Sequence, residues 1–283
     1  METKYSSPVI SVGPEASIFE TLQKMQLNFV KRIVIVSKER PIGIVTERDV
    51  NKFLENDKTA KVIDEIPIKL VMQKNLISIS DGLEDHFDQC ASRMETFQIG
   101  SVVLVDKGGK PLGIVSRTDI ASVFSSVFGG KYLVKDYMTK KVVTCRKSDS
   151  LKFALKLMNN NEVSRLIVTD ETGHPLGLIT TNTFLTHSDY FTKGNTRTRN
   201  YLLSTKDEKL SVGDILKQEL LTIEQDEDLA IAAGLMIKNK ISGIPIIDNK
   251  KDLLGIITKT DVVSAFTVVV SHQELRKKYR EIY

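Results

Sequence analysis

The residues best suited to chemistry are a hydroxyl and an acid that recur together, three positions apart, at three places in the chain. These pairs are Thr46 and Asp49, Ser116 and Asp119, and Thr258 and Asp261. A fourth copy has Thr180 but carries Thr183 where the aspartate would be. This spacing is typical of a capping box, in which both side chains satisfy free backbone N–H groups at the start of a helix. The same pair also suits a ribose phosphate, because a carboxylate accepts hydrogen bonds from adjacent hydroxyls and a helix N-terminus favours phosphate oxygens.

The residues that must position these pairs belong to a pattern that occurs four times. Every copy has one glycine three residues before its hydroxyl, and the four glycines are Gly43, Gly113, Gly177 and Gly255. Four of the seven methionines lie 18 or 19 residues before these glycines, namely Met25, Met94, Met158 and Met236. Because the match extends well beyond the residues around each glycine, we interpret the chain as four internal repeats.

Hydrophobic periodicity indicates the same order of elements in every repeat. Before each methionine, apolar residues recur at helical spacing, as at Ile18, Leu22 and Met25 in the first repeat. A short β-branched run precedes that helix, and two further runs follow it, separated by turn residues. An apolar-periodic tail closes the unit. Each repeat is therefore predicted to fold as strand, helix, strand, strand, helix, with the hydroxyl and acid at the start of the last helix.

This order of elements, the length of the unit and its ending resemble the cystathionine β-synthase (CBS) domain, over nearly the whole chain. The resemblance implies an α+β fold in which four CBS repeats pair into two modules, often called Bateman modules, and pack as a pseudo-symmetric flat disc. It also implies that adenosine-containing ligands bind in clefts between paired domains. We expect a monomeric disc or a homodimer.

We place the four repeats, the connector and the tail from these patterns. The repeats are residues 1–57, 64–128, 131–187 and 210–270, with a polar connector at 188–209 and a basic C-terminal helix at 271–283. The second module is expected to contain repeats three and four. The connector is interpreted either as a loop that docks a partner or as a flexible insertion.

Carried over residue by residue, the resemblance implies that each hydroxyl contacts phosphate or ribose and that each aspartate contacts the ribose diol. The first strands would line the adenine pockets through Ile10, Val12, Ile77, Ile79, Val143, Leu221 and Ile223, although the same residues suit a plain hydrophobic core. Arg32 and Arg165 share one register ahead of the second strand, where an arginine fork suits phosphate and a solvated side chain is the alternative. The site on Thr180 is expected to be empty or the weakest, because Thr183 carries no charge.

Composition and charge restrict the remaining classes. The chain has 283 residues, 41% hydrophobic and 27% charged, with a net charge of +4. We therefore expect a soluble, cytoplasmic protein that does not span a membrane. Cys90, Cys145 and the four scattered histidines have no spacing typical of a metal site. No nucleophile elbow or phosphate-binding loop occurs, so we expect neither an enzyme nor a catalytic cofactor.

The preferred hypothesis is a regulatory sensor of adenine nucleotides (AMP, ADP or ATP) that signals to a separate effector protein. S-adenosylmethionine is an alternative ligand, because the carboxylate recognises the ribose and not the group attached to it. A second hypothesis is a protein that binds nucleic acid, or is associated with transcription, through the basic connector and tail. A third is a scaffold in which the hydroxyl and acid pairs only cap helices.

Overall fold

The computed structural model describes residues 5–57, 61–80, 86–187, 210–216 and 220–282. Repeat one consists of β1 (Ser11–Val12), α1 (Ile18–Leu27), β2 (Arg32–Ser37), β3 (Arg40–Thr46) and α2 (Glu47–Asn56). Two short 3-10 helices follow, Ile63–Glu65 and Ile68–Leu70. Repeat two consists of β4 (Ser78–Ser80), α3 (His86–Thr96), β5 (Ser101–Val105), β6 (Pro111–Ser116) and α4 (Arg117–Val127).

The second half of the chain repeats this order, with one short helix added ahead of each repeat. Repeat three consists of α5 (Val134–Tyr137), β7 (Thr144–Arg146), α6 (Leu151–Asn160), β8 (Arg165–Thr169), β9 (Pro175–Thr180) and α7 (Thr181–His187). Repeat four consists of α8 (Val212–Ile215), β10 (Ile223–Glu224), α9 (Leu229–Lys238), β11 (Gly243–Ile247), β12 (Leu253–Thr258) and α10 (Lys259–Ile282). The predicted α+β fold and order of elements are confirmed. The predicted basic tail is no separate helix but the continuation of α10, and the connector 188–209 lies outside the described residues.

Each repeat forms one three-stranded sheet with the same topology. The short first strand pairs in parallel with the second strand, and the second and third strands form an antiparallel hairpin. The register places the first residue of the second strand opposite the site hydroxyl in all four sheets. The four pairs are Arg32 and Thr46, Ser101 and Ser116, Arg165 and Thr180, and Gly243 and Thr258.

The chain divides into two compact units, and each unit joins repeats that are not consecutive. The odd unit contains the sheets and longer helices of repeats one and three, together with the short helix α8, within Ile10–Leu76 and Val142–Leu220. The even unit contains the sheets and longer helices of repeats two and four, together with the short helix α5, within Met1–Val9, Ile77–Lys141 and Leu221–Tyr283. This division differs from the expected grouping of repeats three and four, because the long-range packing of the helices, which no local pattern encodes, decides which repeats share a unit.

The even unit has a single hydrophobic core to which both of its repeats contribute. Phe124 of α4 packs against Phe128, with ring centroids 5.2 Å apart, and Phe128 packs edge-on against Phe266 of α10 at 5.9 Å. Buried residues of repeat two, such as Met94, belong to the same cluster as Met236 of repeat four. Hydrophobic burial therefore holds these two repeats together.

The odd unit has two separate cores, one around the sheet of repeat one and one around the sheet of repeat three. Polar side chains link the repeats: Asn182 of α7 donates to Glu47 of α2 at 2.7 Å, and Asn159 of α6 donates to Glu55. Asn51, one helical turn after Glu47, is 2% exposed, and neither its amide nitrogen nor its carbonyl oxygen has a hydrogen-bond partner. The contact between repeats one and three is thus polar and incompletely satisfied.

Two of the site glycines, Gly43 and Gly255, are explained by the close approach of a second segment of the chain. A Cβ atom on Gly43 would lie 2.9 Å from the carbonyl oxygen of Gln73, and one on Gly255 would lie 2.7 Å from the carbonyl oxygen of Thr139. These segments form antiparallel bridges with the residue after each glycine, Ile44 and Ile256. Glycine is needed there because backbone meets backbone.

We predict that Gly255→Ala lowers the free energy of unfolding by about 1–3 kcal/mol, because the added methyl group must displace the backbone of Thr139. Gly129→Ala is the matched control, since a Cβ atom there meets nothing within 4 Å. Urea unfolding of both variants measures the difference. Equal stability of the two variants would show that the approach at Gly255 carries no steric constraint.

Candidate functional site

The predicted capping boxes are present where each closing helix begins. Asp49 Oδ2 accepts hydrogen bonds from the backbone nitrogen of Thr46 at 2.9 Å and from its hydroxyl at 2.5 Å. The same two bonds measure 2.7 and 2.6 Å between Ser116 and Asp119. Between Thr258 and Asp261 both measure 2.7 Å. One oxygen of each carboxylate is therefore committed to the start of the helix.

Repeat three makes the same cap without an acid. The hydroxyl oxygen of Thr183 accepts from the backbone nitrogen of Thr180 at 3.0 Å and lies 3.2 Å from the hydroxyl of Thr180. Thr180 in turn accepts from the backbone nitrogen of Thr183 at 3.3 Å. A neutral hydroxyl is thus sufficient to form this helix start, so the negative charge in the other three repeats is not needed for the cap.

The second carboxylate oxygen accepts from a residue of another repeat. The side-chain amide of Gln73 donates to Asp49 Oδ1 at 2.9 Å, and the hydroxyl of Thr139 donates to Asp261 Oδ1 at 3.3 Å. Both donors lie in the segments that approach the site glycines. Neither donor is among the site residues predicted from the sequence. The available signal was the methionine before each donor, Met72 or Met138, which lies four residues ahead of the next β-branched run.

Asp261 lies in an environment that disfavours the ionised form of its carboxyl group. Burial raises its pKa above the usual value of 3.8, and hydrogen bonds from Thr258 and Thr139 offset part of that effect. Asp214 makes bonds of the same length to Ser211, both 2.7 Å, but lies at the surface. There the hydrogen bonds from Ser211 lower the pKa of the carboxyl. Identical caps therefore have opposite electrostatic consequences, and the difference is burial.

Both arginines singled out in the sequence stand beside a site hydroxyl. Arg32 and Arg165 begin β2 and β8 and lie directly opposite Thr46 and Thr180. At that register the even unit has Ser101 and Gly243. Of these four register positions, the two in the odd unit carry an arginine and the two in the even unit do not.

In the even unit the cation follows the hydroxyl instead. Arg117 begins α4 and donates to the carbonyl oxygen of Ile99 at 3.1 Å. Lys259 begins α10, is 9% exposed, and donates to the hydroxyl of Thr118 in repeat two at 3.1 Å. The nearly buried ammonium group of Lys259 is thus aimed at the helix start of the neighbouring repeat.

Glu47 holds the corresponding place in repeat one and has the opposite charge. Burial raises the pKa of its carboxyl, while the charges of Lys31 and Arg32 and the hydrogen bond from Asn182 act to lower it. The hydrogen bond from Asn182 ties this carboxylate to repeat three. The start of α2 consequently carries an acid within the electrostatic reach of Arg32.

The candidate adenine residues lie on the first strands and also contact the cores. Ile79 and Ile223 are buried in the shared core of the even unit, 5% and 7% exposed. The others are partly buried and pack against the core of their own unit: Ile10, Val12, Ile77, Val143 and Leu221. Core packing is thus the observed role of all seven residues. The lining of an adenine pocket stays a prediction, and it best suits the five partly buried residues, whose side chains keep some exposed surface.

A pocket of about 340 Å³ opens beside Asp49. It lies between the polar face of α2, with Lys52, Phe53 and Asn56, and the segment that carries Gln73. Asp49 and Gln73 both line it, so the hydrogen-bonded pair is accessible from outside. A pocket of this size falls in the range occupied by small-molecule ligands.

Thiols, metals and membranes can be considered over the described part of the chain. Burial raises the pKa of Cys90 and of Cys145 to about 12, so both thiols stay protonated and unreactive at neutral pH. Within the described ranges, no cluster of three or more His, Cys, Asp or Glu side chains could hold a metal ion. No described helix combines the length and the apolar character that a membrane span requires.

Comparison with known proteins agrees with this architecture. A family model of the CBS domain matches residues 4–56, 64–126, 134–189 and 212–268. Protein MJ1225 of Methanocaldococcus jannaschii is 23% identical over 281 residues, which are 94% of this chain and 98% of that protein. A CBS domain-containing protein of Dictyostelium discoideum is 32% identical over 142 residues, which are 50% of this chain and 94% of that protein.

Two solved structures share the fold. The crystal structure of MJ1225, described as a candidate archaeal homologue of γ-AMPK, matches with a TM-score of 0.80 over 93% of this chain and 98% of that chain. A conserved protein of Pyrococcus horikoshii, 18% identical, matches with a TM-score of 0.65 over the same shares of the two chains. Since the family model matches four stretches that together make up most of the sequence, the protein belongs to the CBS domain family and contains four copies of that domain.

Proposed function

We propose that the protein is a regulatory, non-catalytic sensor that binds adenine nucleotides at its strand–helix junctions and signals to a separate effector protein. The binding residues would be Thr46 with Asp49, Ser116 with Asp119, and Thr258 with Asp261. AMP, ADP and ATP are the candidate ligands, and S-adenosylmethionine is the alternative that shares the adenosine group.

The observation that carries this proposal is the contrast between Thr183 and the three aspartates. Because a threonine completes the cap in repeat three, capping alone does not account for a carboxylate elsewhere. The negative charge has a use if the carboxylate oxygen outside the cap accepts hydrogen bonds from ribose hydroxyls, since charge-assisted bonds are roughly twice as strong as neutral ones. The scaffold hypothesis, in which these residues only cap helices, leaves that charge unexplained.

Regulation requires that the ligand distinguish two states of the protein. A nucleotide can act on an effector only if it binds one conformation better than another. The segments that carry Gln73 and Thr139 contact the site carboxylates of other repeats, so a ligand that rearranges these bonds also acts on the segments. We infer that the effector recognises a surface whose shape depends on these segments.

Adenine nucleotides should raise the melting temperature of the protein, and uridine nucleotides should not. A ligand that binds only the folded state stabilises it by about 2.7 kcal/mol at one hundred times its dissociation constant. Thermal melting against AMP, ADP, ATP, S-adenosylmethionine and UMP measures the effect and ranks the candidates. Equal shifts with AMP and UMP would indicate a general phosphate effect and contradict recognition of adenosine.

Asp261→Asn should weaken nucleotide binding while raising the stability of the ligand-free protein at neutral pH. The pKa of Asp261 is raised in the fold, so its ionised form is destabilising there relative to the unfolded chain. The contribution of Asp261 to the stability of the fold is most favourable below pH 3.8, the pKa of the unfolded chain. This contribution is lost as the pH rises through the pKa that Asp261 has in the folded protein. The gain in melting temperature should therefore be largest near pH 7 and shrink as the pH falls towards 4.

Asp214→Asn is the matched control, because its pKa is lowered by the same kind of cap. The ionised carboxyl of Asp214 stabilises the fold at pH values above its usual pKa, and this stabilisation is lost as the pH falls through its lowered pKa. The Asn variant should therefore be less stable than the unmodified protein near pH 7. Nucleotide affinity should not change in this variant. If Asp261→Asn also lost stability and kept its affinity, Asp261 would be only a cap.

The unmodified chain should bind no more than three nucleotides tightly, because a threonine cannot offer a charged acceptor in repeat three. Thr183→Asp should add or tighten one site, since Thr180 and Arg165 already stand at the positions found in repeat one. Isothermal titration calorimetry gives both the number of sites and their affinities. Four equivalent tight sites in the unmodified protein would show that the aspartate does not decide occupancy.

A further inference from the structure

We propose that Gln73 and Thr139 are specificity-determining residues that read the ribose edge of an adenosine ligand together with Asp49 and Asp261. This inference rests on the proposed function and deepens it, because each residue belongs to a different repeat from the site that it completes. Gln73, in repeat two, serves the site of repeat one. Thr139, in repeat three, serves the site of repeat four.

The backbone holds both residues in fixed positions beside the site strand. Gln73 and Ile44 exchange two backbone hydrogen bonds of 2.8 and 3.0 Å, and Thr139 and Ile256 exchange two of 2.9 and 3.0 Å. The preceding glycine in each strand allows this approach. Because the bridge fixes the backbone, the side chain can meet the carboxylate with little further loss of conformational freedom.

The carboxylate oxygen that lies outside the cap would bring a bound ribose into contact with the neighbouring side chain. The cap occupies Asp49 Oδ2, so an incoming ribose must use Oδ1, which already accepts from the amide of Gln73 at 2.9 Å. One ribose hydroxyl can donate to the remaining lone pair of Oδ1. The other ribose hydroxyl can donate to the side-chain carbonyl oxygen of Gln73, while the side-chain amide nitrogen of Gln73 keeps its bond to Asp49. Both residues line the pocket beside α2 and are reached together.

The three sites with an aspartate should differ in how strictly they require both ribose hydroxyls. Gln73 carries its donor and its acceptor on two separate side-chain atoms, whereas Thr139 carries both on one hydroxyl oxygen, which lies at a longer distance of 3.3 Å from its carboxylate. In repeat two the equivalent residue is Ser6, which forms the same backbone bridge with Ile114. Its hydroxyl makes no hydrogen bond to Asp119 within the described part of the chain. Discrimination should therefore be greatest in repeat one, smaller in repeat four and smallest in repeat two.

The test measures the preference for AMP over 2′-deoxy-AMP and 3′-deoxy-AMP at one site at a time. In the full-length chain, Asp119→Asn and Asp261→Asn weaken the other two sites and leave repeat one to be titrated by calorimetry. Adding Gln73→Ala should weaken AMP binding about five- to tenfold, because one hydrogen bond is lost. It should reduce, by a similar factor, the preference for AMP over the one deoxy analogue that lacks the hydroxyl bonded to Gln73. Thr139→Ala, tested with Asp49→Asn and Asp119→Asn, should show a smaller change of the same kind.

Lys74→Ala is the matched control, because Lys74 is exposed and adjacent to Gln73 in the same segment. It should leave both the affinity and the preference unchanged, and the melting temperatures of all variants should match their backgrounds. If Gln73→Ala weakens AMP and the deoxy analogues equally, Gln73 only supports the fold of the site, and the inference is overturned. Unchanged binding of all three ligands overturns it as well. If the unmodified chain binds no adenine nucleotide, the proposed function itself fails, which is a separate result.

Discussion

Each site depends on one interaction, the hydrogen bond from the backbone nitrogen of the last strand residue to the side chain three residues later. This bond ends the strand, starts the helix and fixes the direction of the side chain at the junction. One carboxylate oxygen then points into the cap, and the other faces the neighbouring segment. In repeat three, the uncharged side chain of Thr183 accepts the same bond. The helix start can therefore form whether or not a negative charge stands at this position.

The two units assemble repeats by different physical means. In the even unit, repeats two and four share one core with Phe124 and Phe266, so hydrophobic burial sets their arrangement. In the odd unit, Glu47 and Asn182 join two separate cores, and Asn51 is buried without a partner where repeats two and four have Ala121 and Val263. An unsatisfied buried amide costs about 1–3 kcal/mol. The contact between repeats one and three therefore carries an unsatisfied polar group and lacks the shared core that joins repeats two and four.

The features that the sequence predicts well are those with local causes. The helix stripe of Ile18, Leu22 and Met25 is buried, the hairpins form, and the caps at Thr46 and Ser116 are present, because side-chain periodicity and capping operate within a few residues. Neither the joining of non-consecutive repeats nor the contacts of Gln73 and Thr139 could be predicted. They depend on residues far apart in sequence, and a single sequence carries no record of such pairings. The first strands were located only approximately, since two or three paired residues leave a weak signal.

The distribution of charge makes the four junctions electrostatically distinct. In the odd unit the cations Arg32 and Arg165 stand at the strand start, and the residues that follow the hydroxyls are Glu47 and Thr181. The even unit reverses this arrangement, with Ser101 and Gly243 at the strand start and Arg117 and Lys259 after the hydroxyls.

An anion beside the hydroxyl would therefore meet its cation on the strand in one unit and on the helix in the other. In repeat one it would also meet the carboxylate of Glu47, which attracts the same arginine. Opposite charges favour and like charges oppose a bound phosphate over these short distances, where salt screens them least. Four copies of one scaffold thus provide four different environments for ligand charge. If the proposed nucleotides bind at these junctions, a change in the number of their phosphates alters the occupancy of the units unequally, as the proposed sensor requires.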